Sequence, residues 1–165
     1  MRKITLLLAL FVIVAAPLLA DSDSDCKSVN GHFLASVVPP GQGHCPPVAG
    51  TLCTAGRVWG GIQGNYQFVA IGFFPSASIG GVPSVLFFTG RSTIFLKNDD
   101  KVFGTDTGSI DLPNLGGLGG FASLITFTGG TGDSSTAKGQ IRLRGEFDPT
   151  AGTTSGDYLG KLCTQ

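Results

Sequence analysis

Residues 138–147 read Lys138-Gly139-Gln140-Ile141-Arg142-Leu143-Arg144-Gly145-Glu146-Phe147. Gln140, Arg142, Arg144 and Glu146 fall on one side of an extended chain, and Ile141, Leu143 and Phe147 on the other. That is the period-two pattern of a strand with one wet face and one dry face. The same period recurs in both directions along the chain. Turn-forming clusters interrupt it about every ten residues: Pro39-Pro40-Gly41, Gly64-Asn65, Pro75-Ser76, Asn98-Asp99-Asp100, Pro113 through Gly120, Gly129 to Gly132, and Asp148-Pro149. Between them lie eight strands, roughly 28–38, 55–62, 65–74, 85–96, 101–112, 121–129, 138–147 and 153–162. No stretch offers ten residues of helix formers free of Gly or a β-branched run, so little or no helix is expected. The fold class predicted is all-β: an eight-stranded antiparallel up-and-down barrel, which leaves no sheet edge exposed, with a sandwich as the alternative.

The chain has 165 residues, room for one domain, and balances 11 Lys+Arg against 11 Asp+Glu. With 13% charged and 42% hydrophobic residues it has enough apolar surface to bury a core, which excludes a disordered chain. The absence of a basic excess argues against a nucleic-acid partner. Arg2 and Lys3 precede an apolar run from Ile4 to Leu19, broken by Pro17 and ending at Ala20. This is the pattern of a secretory signal over 1–20, cleaved after Ala20 or, as the alternative, after Ala16. The run is shorter than the about 20 residues a spanning helix needs, so no membrane contact is expected after cleavage. An acidic tail over 21–27, with Asp21, Asp23 and Asp25, would then lead into one barrel domain over 28–165. The protein is expected to be secreted or periplasmic.

Export makes the four cysteines readable as two disulfides. Four cysteines allow three pairings, and barrel closure selects one of them. If the first and last strands are antiparallel neighbours, the start of one and the end of the other share a rim, which brings Cys26 to Cys163. Cys45 and Cys53 then pair in the first loop at the opposite rim. Zinc on His44, Cys45 and Cys53 lacks the spacing of a finger or ribbon, and neither metal nor cofactor is expected.

The run Gly129-Gly130-Thr131-Gly132, followed by Ala137 and Gly139 and the strand Gln140 to Phe147, resembles the hallmark of the dirigent and allene oxide cyclase barrel superfamily. Gly152, Gly156, Tyr158 and Gly160 before Cys163 look like the last hairpin of its secreted bacterial members. The resemblance covers about residues 85–163. It implies an eight-stranded antiparallel barrel, often a homotrimer, with a cavity for an apolar or aromatic small molecule. Ser134 and Lys138 depart from the Phe and Arg common in plant members, so the resemblance carries fold more firmly than activity. Independently of it, the glycines suit a hairpin that needs positive φ and close strand approach, which is a structural task.

Arg91 and Asp106 form the most informative polar pair. A hairpin looping at 97–100 would set Leu96 opposite Lys101 and Arg91 opposite Asp106. Phe87, Arg91, Phe95, Val102, Asp106 and Ile110 would then share one face. Such a pair is either a buried ion pair or the polar end of a ligand pocket; a slipped register, or an outward face, would leave an ordinary surface bridge instead. Trp59 and Tyr66 are further candidates for lining a cavity. No Gly-x-Ser-x-Gly elbow is present, and Glu146 is the lone Glu. Three functions remain open: a barrel that binds a small apolar or aromatic ligand without turnover, a cofactor-free cyclase or isomerase, and a structural or cell-surface module. The first is preferred.

Overall fold

A computed structural model describes residues 25–76, 78–79, 82–112 and 117–164. The signal sequence over 1–20, and the acidic tail up to residue 24, lie outside the described residues. The strands are β1 Asp25–Val38, β2 Cys53–Gly60, β3 Gly64–Pro75, β4 Ser78–Ile79, β5 Val82–Pro83, β6 Val85–Leu96, β7 Lys101–Asp111, β8 Gly119–Gly130, β9 Lys138–Asp148 and β10 Thr153–Thr164. Eight of them close an antiparallel barrel in the order β1-β10-β9-β8-β7-β6-β3-β2, and β4 pairs with β5 as a small separate ladder. The eight long strands fall where the period-two segments lie. Two features differ from the sequence reading. Asp25, Cys26 and Lys27 are strand and not tail, because they pair with Thr164, Cys163 and Leu162, and the β4–β5 ladder was not expected.

The lumen is filled by pairing large residues with absent ones. Across β1, β10, β9 and β8 the register runs Phe33, Gly156, Gly145, Phe121. A Cβ on Gly145 would lie 1.9 Å from the Ser155 carbonyl oxygen, and one on Gly156 would lie 2.1 Å from that of Arg144. Only glycine permits so close an approach, and the two flanking phenyl rings, 5.7 Å apart, cover the space left over. Val29, Phe68, Phe88, Ile94, Val102, Ile125, Ile141, Leu143 and Tyr158 complete the core. The outer wall carries Arg57, Arg91, Arg142, Arg144 and Asp157, all exposed. An apolar lumen inside a charged wall is the inverse of a membrane-spanning barrel.

The two ends differ. At the end where β1 begins and β10 finishes, Tyr158 closes the cylinder: its hydroxyl donates to the Ile62 carbonyl at 3.1 Å and accepts from the Ile62 N–H at 2.7 Å. The Gly129–Gly132 run forms the β8–β9 turn at this end. Gly129 and Gly132 have φ of 140° and 54°, and a short 3-10 turn follows over Gly132–Ser134. The Lys101 N–H donates to Thr131 Oγ1 at 2.9 Å and the Asp133 N–H to Asp100 Oδ2 at 3.1 Å, tying this turn to the β6–β7 turn. The opposite end, between Val37, Leu52, Thr54, Gly152 and Thr154, is less completely filled.

Both disulfides form as expected, Cys26–Cys163 across the β1–β10 seam and Cys45–Cys53 in the β1–β2 connection. They span 137 and 8 residues of sequence, so the loop-entropy argument ranks them clearly. Replacing Cys26 and Cys163 together with Ser should lower the unfolding free energy by about 4 to 5 kcal/mol, and replacing Cys45 and Cys53 by about 2 to 3 kcal/mol. Denaturant titration of the two double variants checks the order; a larger loss for the short loop would contradict it.

Candidate functional site

Asp106 is the one ionisable carboxylate buried inside the barrel among the described residues, at 1% exposure. It projects from β7 at a position that alternation assigns to the lumen, between Val102 and Gly104 on one side and Ile110 on the other. Its Oδ2 accepts from Ser92 Oγ on β6 at 2.8 Å and from the Tyr66 hydroxyl on β3 at 3.1 Å. Those two hydroxyl oxygens are themselves 3.0 Å apart. Three strands therefore supply one compact polar cluster, surrounded by Phe33, Phe68, Phe88 and Ile110. Asp106 Oδ1 is buried and has no hydrogen-bond partner. The buried hydroxyl of Ser123, on β8, makes no hydrogen bond of ordinary length either, but it lies near enough to Asp106 to favour its charged form.

The expected pairing of Arg91 with Asp106 is corrected by the register. Arg91 stands opposite Thr105, and Asp106 opposite Gly90. Five residues separate Phe95 from its partner Lys101 instead of the four assumed, because Asp99 takes the left-handed conformation with φ 66° and the turn absorbs Leu96 as well. A one-residue shift exchanges the faces of a strand. Phe87, Arg91 and Phe95 consequently point outward while Val102, Asp106 and Ile110 point inward. Trp59 is also on the outer wall, with its ring 5.8 Å from that of His32. Of the six candidate ligand residues, the structure brings together two, Tyr66 and Asp106. Sequence reasoning missed Ser92 and Ser123; the alternation Phe88, Gly90, Ser92, Ile94 could have placed Ser92 inside. It also missed the exposed His32–Asp157 pair, 2.6 Å apart across β1 and β10.

A cavity of about 30 Å³ lies against the cluster and leads toward the Val37, Leu52 and Gly152 end. That volume suits one or two waters. Five phenyl rings line it, those of Phe33, Phe68, Phe88, Phe121 and Phe147, and no basic side chain does. Burial is the main influence on Asp106 and raises its pKa, opposed by Ser92, Ser123 and Tyr66, which favour the carboxylate. Tyr66 is pushed well above its ordinary pKa, first by burial and then by the neighbouring Asp106 charge. An acid held toward its neutral form can donate from Oδ1 to an acceptor in the cavity or pass a proton to it. No cation is within the lining to bind an anion.

A raised native pKa means that the folded protein holds the Asp106 proton more tightly than the unfolded chain does. The contribution of this group to stability is then full below the unfolded value near 3.8 and is lost as pH rises through the native value. Asp106→Asn should remove that slope and keep an oxygen acceptor for Ser92 and Tyr66. Asp106→Leu should leave Ser92 and Tyr66 only each other as partners, with one hydroxyl donor unpaired, and cost about 1 to 3 kcal/mol. Thermal melts of the three proteins across acidic to neutral pH check this; an unchanged slope in the Asn variant would contradict it.

No known protein family matches the chain, and neither a curated protein nor a solved structure gives a match.

Proposed function

We propose that the protein is an exported barrel that binds a small apolar or aromatic molecule in the ring-lined cavity, oriented by Asp106 and not turned over. The observation that carries this reading is the unsatisfied Oδ1 of a buried acid beside an apolar cavity. A buried polar atom without a partner is costly and is uncommon in a lumen that serves packing alone. A ligand with one polar atom would satisfy it while its apolar body contacts phenyl rings, the general anatomy of small-molecule sites. The Tyr158 seal leaves the Val37 and Leu52 end as the route in. Because the cavity is small, a ring-sized ligand has to displace Leu52 or a phenyl ring, so binding involves local opening of the β1–β2 connection.

Export rests on the signal pattern in the sequence, and the two disulfides are compatible with it. The resemblance to the dirigent and allene oxide cyclase barrels supports the same ligand class and adds a homotrimer to the proposal. If the chain instead follows the enzymes of that superfamily, Asp106 is the group that would move a proton. A structural module is the second reading, favoured by the small volume of the cavity.

Native mass spectrometry of the mature protein from its own source tests the proposal together with titration of N-phenyl-1-naphthylamine, a neutral apolar probe. A small-molecule adduct is expected, and probe affinity should fall at least about tenfold, or 1.4 kcal/mol, in Thr54→Trp, which fills the mouth. A protein without adduct that also ignores the probe would establish the structural reading instead.

A further inference from the structure

The lumen offers a negative charge and nothing positive to offset it. Asp106 is its one buried carboxylate among the described residues, and no Lys, Arg or His lines the cavity beside it. The rest of that lining is largely aromatic, and the face of a phenyl ring carries the negative side of its quadrupole. Four of the rings touch in sequence: Phe68 meets Phe88 at 5.3 Å between centroids, Phe88 meets Phe121 at 6.1 Å, and Phe121 meets Phe33 at 5.7 Å. They form one continuous aromatic wall beside the acid.

Two buried atoms of this cluster lack a hydrogen bond of ordinary length, Asp106 Oδ1 and Ser123 Oγ. They stand on neighbouring strands. Ser123 on β8 faces Gly108, two positions along β7 from Asp106, and its hydroxyl is near enough to favour the Asp106 charge. The chemistry of a group that satisfies both follows from what surrounds them. An anion meets repulsion from Asp106 and finds no cation. Calcium takes about six to eight oxygen ligands, more than the cluster holds, and the described residues contain no group of three or more His, Cys, Asp or Glu that suits a metal. A neutral carbonyl sets a partly negative oxygen against the ring faces. A primary ammonium group gains on every count: it pairs with the carboxylate, carries three N–H donors for two waiting acceptors, and is attracted by phenyl faces.

We infer that the cavity takes a primary ammonium group carried on an apolar or aromatic body, with the nitrogen donating to Asp106 Oδ1 and Ser123 Oγ and lying against the phenyl rings. The inference rests on the ligand reading above and deepens it, since the polar atom that Asp106 orients becomes a cationic nitrogen. The charges balance within the site. Where Asp106 holds a proton before binding, that proton leaves to solvent as the ion pair forms. Tyr66 on β3 is the other titratable group facing Asp106, and Ser92 on β6 and Ser123 on β8 face it as uncharged hydroxyls. A desolvated ion pair is stable only when its remaining lone pairs are satisfied, and Ser92 and Tyr66 already satisfy Oδ2.

The test is calorimetric titration of the mature, oxidised protein with 2-phenylethylamine and with 2-phenylethanol, its neutral counterpart of nearly equal size. N-phenyl-1-naphthylamine serves as the reference for apolar binding. The amine should bind at least about tenfold more tightly than the alcohol. Asp106→Asn should bring that ratio close to one and spare the alcohol, while Asp157→Asn, an exposed acid on the outer wall, should leave the ratio unchanged. At a pH where the free protein holds Asp106 protonated, adding the amine should move its carboxyl carbon resonance to the ionised position, and adding the alcohol should not. The inference is overturned if the alcohol binds as tightly as the amine, or if a folded Asp106→Asn protein keeps the preference. The comparison of the two ligands on the unaltered protein decides the matter even if that variant does not fold. Binding of the naphthylamine without preference for the amine would sink the ammonium inference and leave the apolar-ligand reading standing; no binding of any of the three would sink both.

Discussion

Pairing of β1 with β10, from Asp25 opposite Thr164 to Ser36 opposite Thr153, turns a twisted sheet into a cylinder, and the dryness of the lumen follows from it. An open sheet would leave Phe33 and Tyr158 at an edge, and both are instead almost fully buried. The Cys26–Cys163 bridge sits at one end of this seam and limits how far the unfolded chain can separate its two ends. The Phe33, Gly156, Gly145, Phe121 row shows what closure demands in return. Strands that coil this tightly have no room for a Cβ on the inner side, and aromatic rings from the next strands fill what the glycines vacate.

Within that dry cylinder a carboxyl group is an expensive choice. Asp106 is tolerated because Ser92 and Tyr66 satisfy one of its oxygens, but the other has no hydrogen bond of ordinary length and only the Ser123 hydroxyl nearby to favour its charge. Apolar residues in place of the acid and of its hydroxyl partners together would leave no polar group unpaired here, so the presence of the acid calls for a role. The proposed ligand site supplies one.

The strands, the barrel and both disulfides were legible because each depends on signals that survive in sequence: alternation, Gly and Pro breaks, and the parity of an eight-stranded cylinder, which returns its last strand to the rim of its first. The site was only half legible. Which of Arg91 and Asp106 enters the lumen depends on whether four or five residues form one turn, and that rests on the backbone of Asp99. β6 is apolar on both faces, with Phe87 outside and Phe88 inside, so composition could not say which ring lines the cavity.

The central claim is that closure of the barrel buries Asp106 in an apolar lumen. The pH titration of its carboxyl carbon by carbon-13 NMR, in the oxidised protein, tests this most directly. The expected result is a resonance that stays at its protonated position through the ordinary carboxylate range and shifts only at higher pH. A carboxyl that titrates within the ordinary range would place Asp106 in water and contradict the closed, dry cylinder.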